Sequence, residues 1–149
     1  MEVAGFSGVD KMTSNNISHQ ENNMDPKIYV CDCCGEMLAV LKDAGIKPVC
    51  CASEMKALEI GKVDASLEKH VPVVTVEGNL VTVNVGSAAH PMTEEHLIEW
   101  VMVQTNEGRQ RKNLKAGSAP VVKFALTDGE KLEGVYAYCN LHGLWKADL

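Results

Sequence analysis

VPVVTVEGNLVTVNVG, residues 71–86, consists of two valine-rich runs set about Glu77, Gly78 and Asn79. β-Branched runs on either side of a Gly-Asn pair signal a hairpin, so the chain from this point is read as β structure. HLIEWVMVQT (96–105), APVVKFAL (119–126) and VYAYC (135–139) supply further strands, separated by clusters of Gly, Asn and Asp. Several short strands at that spacing predict an antiparallel sandwich. MTEEHLIEWVMV (92–103) also scores as an amphipathic helix, but its Val, Ile and Trp content favours a strand.

The 149 residues, 46% of them hydrophobic, allow one domain of ordinary size and a small satellite. A formal net charge of −6 argues against a nucleic-acid surface, which needs clustered Lys and Arg. The one basic run, RQRK at 109–112, is read as a solvated loop. The first 24 residues are polar and rich in Asn and Ser, with neither the basic start nor the apolar run of a secretory signal. They are read as a disordered tail, with Met24 a second candidate start. No segment approaches the length of a membrane span. A reducing, cytoplasmic setting is expected, in which six cysteines speak for metal or redox chemistry more than for disulfides.

Five of those cysteines fall in YVCDCCGEMLAVLKDAGIKPVCC, residues 29–51. Cys31 and Cys34 form a C-x-x-C pair, and Cys50 and Cys51 follow fifteen residues later. Two such pairs make a four-sulfur tetrahedral site suited to zinc or a single iron. Adjacent cysteines are an unusual second half, because neighbouring side chains of an extended segment point apart and the chain must bend to bring both to one ion. Cys33 is left over as a free thiol.

The second grouping lies on the sandwich: His70 in LEKHVP, His90 and His96 in AAHPMTEEH, and Cys139 with His142 in CNLH. Each histidine stands at a strand edge or loop beside Pro, Gly or a turn residue. Side chains so placed can meet at one rim of a sandwich. Four imidazoles and one thiolate make a five-coordinate site with one position open, an arrangement that suits iron and a small ligand.

The set C-x2-C-x15-C-C, E-K-H-V-P, H-x5-H and C-N-x-H-G-x-W, in this order over residues 28–149, resembles desulfoferrodoxin, the two-iron class of superoxide reductase. After a disordered extension over residues 1–26, read from its polar composition, that resemblance implies a desulforedoxin-like domain over 27–61 and an immunoglobulin-like β-sandwich over 62–149. It implies two irons per chain: one on Cys31, Cys34, Cys50 and Cys51, and a catalytic one with His70, His90, His96 and His142 equatorial and Cys139 axial. It further implies one-electron reduction of superoxide to hydrogen peroxide, a rubredoxin-like electron donor and a homodimer. Lys69 is expected to attract the superoxide anion and to orient a protonating water. The resemblance places the Glu68 carboxylate at the sixth position once product has left. The extension and Cys33 depart from the family pattern, and His19 is not carried over as a ligand. A blue-copper carrier is the alternative, but two histidines would be surplus and GLWKADL after His142 holds no axial methionine. A zinc module stapled by the four thiols, and a superoxide dismutase that evolves oxygen, are the other rivals.

Overall fold

The computed structural model describes residues 24–149. The expected tail lies, up to residue 23, outside the described residues. Asp25 is tied to the fold: its carboxylate accepts hydrogen bonds from Tyr136 Oη and Lys146 Nζ, both at 2.6 Å.

The segment after residue 71 folds as its valine pattern predicts. β6 (Pro72–Glu77) and β7 (Leu80–Val85) pair antiparallel with Glu77 opposite Leu80, leaving Gly78 and Asn79 as a two-residue turn. Gly78 opens that turn at φ 61°, where a side chain would be strained. β10 (Val121–Ala125) joins the far edge of β7 to complete a three-stranded sheet. The facing sheet runs β12 (Gly143–Lys146), β11 (Leu132–Cys139), β8 (Ile98–Thr105), β9 (Gly108–Asn113). The core between them is filled by Val81, Val83 and Phe124 from one side and Val101, Val103, Val135 and Ala137 from the other.

The MTEEHLIEWVMV ambiguity resolves to strand β8. The reason for the ambiguity is visible: this strand is covered on both faces. Val101 and Val103 point into the sandwich, while Trp100 and Met102 point outward against Ile28, Tyr136 and Leu144. A strand buried on both sides loses the alternation that separates strand from helix.

RQRK is not a loop. Arg109–Lys112 form most of β9, paired to β8 on one side only. Polar residues on both faces suit an edge strand, where charge discourages pairing with another chain. Gln110 Nε2 and Lys112 Nζ also reach across to the carbonyls of Ala125 and Lys123 on β10, closing the open side of the sandwich.

The cysteine-rich segment forms β1 (Ile28–Val30) between β2 (Met37–Ala39) and β5 (Lys56–Ala57), plus a hairpin of β3 (Val49–Cys50) and β4 (Ser53–Glu54). Ile28 seats this segment on the outer face of the larger sheet. The connection onward is pinned where Gly61 N–H donates to the Leu144 carbonyl at 2.8 Å. A single helical turn, α1 (Leu67–His70), then leads into β6. Pro72 explains its brevity, since the residue before a proline is forced out of the helical region. Val71 accordingly has φ −69° and ψ 121°.

Candidate metal centres

The four thiols converge through two unlike turns. Cys31 and Cys34 lie on a turn closed by Gly35 N–H to the Cys31 carbonyl at 2.9 Å, with Gly35 at φ 77°. Cys50 ends β3, and Cys51 with Ala52 forms the two-residue tip of the β3–β4 hairpin, at φ 49° and 61°. Two successive left-handed residues supply the bend that adjacent cysteines require. Cys34 Sγ and Cys50 Sγ are 3.5 Å apart, Cys50 and Cys51 Sγ 3.9 Å. One sulfur from each of Cys31, Cys34, Cys50 and Cys51 lies within 4.8 Å of the others. Amide N–H groups of Cys34 and Cys33 hold the Cys31 thiol down at about 7. The neighbouring Cys34 and Cys31 push Cys50 up to about 11, and Cys33 and Cys34 push Cys51 up as well. Four sulfurs this close cannot all ionise without a cation among them, and that is the chemistry of a four-thiolate metal site.

The second group gathers donors from three segments. His70 ends α1, His90 and His96 come from the loop between β7 and β8, and Cys139 and His142 flank the β11–β12 turn. Their five donor atoms also fall within 4.8 Å of one another. His70, His90 and Cys139 are 2%, 3% and 0% exposed, so these donors are withdrawn from bulk water.

Ring orientation distinguishes a metal site from a chance cluster. His70 Nδ1 lies 2.7 Å from the Ser66 carbonyl and His90 Nδ1 lies 2.6 Å from the Pro91 carbonyl. A carbonyl only accepts, so both Nδ1 atoms carry the proton and both Nε2 atoms present lone pairs. Those two Nε2 atoms face each other at 3.1 Å. Burial holds His70 below its ordinary value and His90 down at about 4, so neither ring takes the extra proton that would bridge them at neutral pH. The Nε2 of His96 is buried without a partner among the described residues. His142 Nδ1 stands 2.9 Å from the same His70 Nε2, so a proton there would serve that one lone pair, whereas a cation among the rings serves every one of them. Cys139 Sγ lies 3.7 Å from His142 Nδ1. Burial raises the Cys139 thiol, and the amides of Leu141 and His142 oppose that shift by favouring the thiolate a metal would hold.

Every metal-ligating residue expected from sequence thus falls in one of the two groups. Glu68 and Lys69 do not; their side chains stand in solvent on the turn that carries His70. Cys33 is exposed beside the four-thiol group. Two supporting residues escaped the sequence reading. Trp145 stacks on His70 with centroids 5.0 Å apart and donates Nε1–H to the His142 carbonyl at 3.0 Å. Gly86, at φ 84°, lets the end of β7 press against the backbone of α1. The tryptophan stood in C-N-x-H-G-x-W as a signal, but Gly86 stood out in no pattern.

Comparison with known proteins agrees with the geometry. The family model for desulfoferrodoxin matches residues 62–148. The chain belongs to the desulfoferrodoxin family. A desulfoferrodoxin of Nitratidesulfovibrio vulgaris is 44% identical over 124 residues, covering 82% of this chain and 95% of that one. A desulfoferrodoxin homolog of Archaeoglobus fulgidus is 42% identical over 121 residues, covering 81% and 95%. Among solved structures, the superoxide reductase from Treponema pallidum matches with a TM-score of 0.71 at 38% identity, covering 83% of this chain and 98% of that one. The four-thiol group and the histidine–cysteine group match the two-iron content of a desulfoferrodoxin.

Proposed function

We propose that the protein is a superoxide reductase acting at the histidine–cysteine centre. The observation that carries this reading is the face-to-face pair of Nε2 lone pairs on His70 and His90 within a buried group of four imidazoles and one thiol. Iron bound there would supply the single electron that, with two protons, turns superoxide into hydrogen peroxide. His70, His90, His96, His142 and Cys139 are the residues that would hold that iron. The four thiols of Cys31, Cys34, Cys50 and Cys51 hold the second iron.

Lys69 answers an electrostatic difficulty: superoxide is an anion, and the chain carries a net charge of −6. An exposed ammonium one residue from His70 raises the encounter rate and holds a water from which peroxide is protonated. Glu68 is assigned to the open position between turnovers. A copper carrier would leave two of the four converging imidazoles without a role.

Turnover needs an outside reductant, assigned to a rubredoxin-like carrier. Six unpaired cysteines suit a reducing, cytoplasmic setting. Leu41, Ile46 and Val49, all strongly exposed on the cysteine-rich segment, support a homodimer that would cover them. The chain is taken to divide into a four-thiol domain over 27–61 and a catalytic sandwich over 62–149, after an extension over 1–26.

Product accounting tests the reaction. The iron-loaded protein is reduced without oxygen and given a known amount of superoxide. One peroxide per superoxide with no oxygen is expected, whereas equal half-yields of peroxide and oxygen would make the protein a dismutase.

A further inference from the structure

Among the described residues, no hydrogen bond orients the ring of His96. The His70 and His90 rings are fixed by Nδ1–H bonds to the Ser66 and Pro91 carbonyls. His96 makes no such Nδ1 bond among the described residues, and its buried Nε2 is also without a partner there. The direction of this imidazole is therefore inherited from its backbone. That backbone is held at both of its neighbours by one side chain. Asn140 Nδ2 donates to the Glu95 carbonyl at 3.0 Å, and Leu97 N–H donates to Asn140 Oδ1 at 3.0 Å. The Asn140 main-chain N–H adds a third bond, to the Leu97 carbonyl at 3.2 Å. From the other side Thr93 closes the loop, accepting His96 N–H on Oγ1 at 3.1 Å and donating its own N–H to the His96 carbonyl at 2.9 Å.

Asn140 directly follows Cys139, the last residue of β11, at a point where the register with β8 is interrupted between Tyr138 and Cys139. Its side chain there does what a paired backbone would do, presenting one donor and one acceptor to the chain just before β8. The residue before it and the residue two beyond it are both donors of the same centre.

We propose that Asn140 is a positioning residue that sets the separation of the His96 imidazole from the Cys139 and His142 donors. Only an amide meets the requirement. Aspartate keeps the acceptor for Leu97 N–H but turns a second oxygen toward the Glu95 carbonyl, and alanine removes both bonds.

The inference rests on the reading of these five donors as one iron site. Ferrous iron binding and the sulfur-to-iron charge-transfer absorption of the oxidised centre are measured in the full-length wild type, Asn140→Asp and Asn140→Ala, with the four-thiolate absorption of the same chain as the check on folding. Failure of the site itself is distinguishable, because the wild type would then lack the charge-transfer band. The expected result is a wild-type four-thiolate spectrum, an affinity for iron at the histidine–cysteine centre about tenfold lower in Asn140→Asp, the scale of one lost hydrogen bond, and a shifted band. Asn140→Ala is expected to lose more. Should Asn140→Ala fail to fold, Asn140→Asp decides. Wild-type affinity with an unmoved band in a folded Asn140→Asp overturns the proposal, as does lowered thermal stability without change in either.

Discussion

Gly86 shows how little room the backbone leaves behind the histidine–cysteine centre. A Cβ built on it would stand 2.6 Å from the Lys69 carbonyl oxygen and 2.7 Å from that of Glu68, at a φ of 84° that side chains resist. The same carbonyl of Glu68 accepts from Ala88 N–H at 2.8 Å, so α1 is clamped where the collision would fall. Gly86→Ala is expected to cost about 2 kcal/mol or more of stability and to weaken iron binding through displacement of His70, as read by thermal unfolding and by iron titration. Lys69→Ala makes the opposite separation. Iron should stay bound while the second-order rate constant for superoxide falls and loses much of its salt dependence; an unchanged rate at low salt removes Lys69 from the mechanism. Asp25 provides a pH test away from both centres. Burial would raise its carboxyl, but the Lys146 and Tyr136 hydrogen bonds outweigh that and hold it below its ordinary 3.8. A depressed folded-state value means that the unfolded chain binds the proton more readily. The contribution is present above pH ~3.8 and is lost as pH falls through the folded value. Urea midpoints measured from pH 6 to pH 3 should therefore fall more steeply in the wild type than in Asp25→Asn.

Among the elements, the β3–β4 hairpin carries the clearest strain. Cys51 and Ala52 both adopt left-handed backbone, which costs L-residues roughly 1–2 kcal/mol each. Cys51 is fixed by its proposed ligand role, but Ala52 offers no such reason. Ala52→Gly should raise metal-free stability by about 0.5–1 kcal/mol, the relief offset in part by glycine's greater freedom when unfolded. Guanidinium midpoints of the metal-free chains check this. The hairpin also marks the limit of what residue patterns disclose. Convergence of the two cysteine pairs was legible from spacing, because a four-thiol site demands it; the left-handed turn that achieves it was not, because neither Cys nor Ala advertises positive φ. β7 was legible because it buries one face and alternates accordingly, and β6, largely exposed, through its valines and the Gly-Asn turn that joins it to β7. β9 was misread because an edge strand exposes both faces and so has the composition of a loop. The centre's donors were legible as residue types, whereas their supports were not. Gly86, and Trp145 where it stacks on His70, act through packing between segments distant in sequence; only the tryptophan's place beside His142 showed in a local pattern.

At the scale of the molecule, the larger sheet serves two cores. Val101, Val103, Val135 and Ala137 close the sandwich on one face, while Trp100, Met102, Tyr136 and Leu144 receive Ile28 on the other. Such a shared wall should couple the cysteine-rich segment to the sandwich in unfolding. In guanidinium, the four-thiolate absorption and the fluorescence of Trp100 and Trp145 are expected to change in one coincident transition. Ile28→Ala should lower its free energy by about 2–5 kcal/mol, and two separated transitions in the wild type would refute the coupling. The centres differ, finally, in how far apart the chain holds their donors. The four thiols lie between Cys31 and Cys51, whereas His70 and His142 are 72 residues apart and meet at 2.9 Å. Closing a short loop is quick, but a contact across the whole sandwich waits for nearly all of the chain to have folded. During synthesis the donors for the first ion are therefore all made early, although the wall that seats Ile28 is built only later. The second can enter only after the C-terminal strand has docked, so incomplete chains hold no reactive iron.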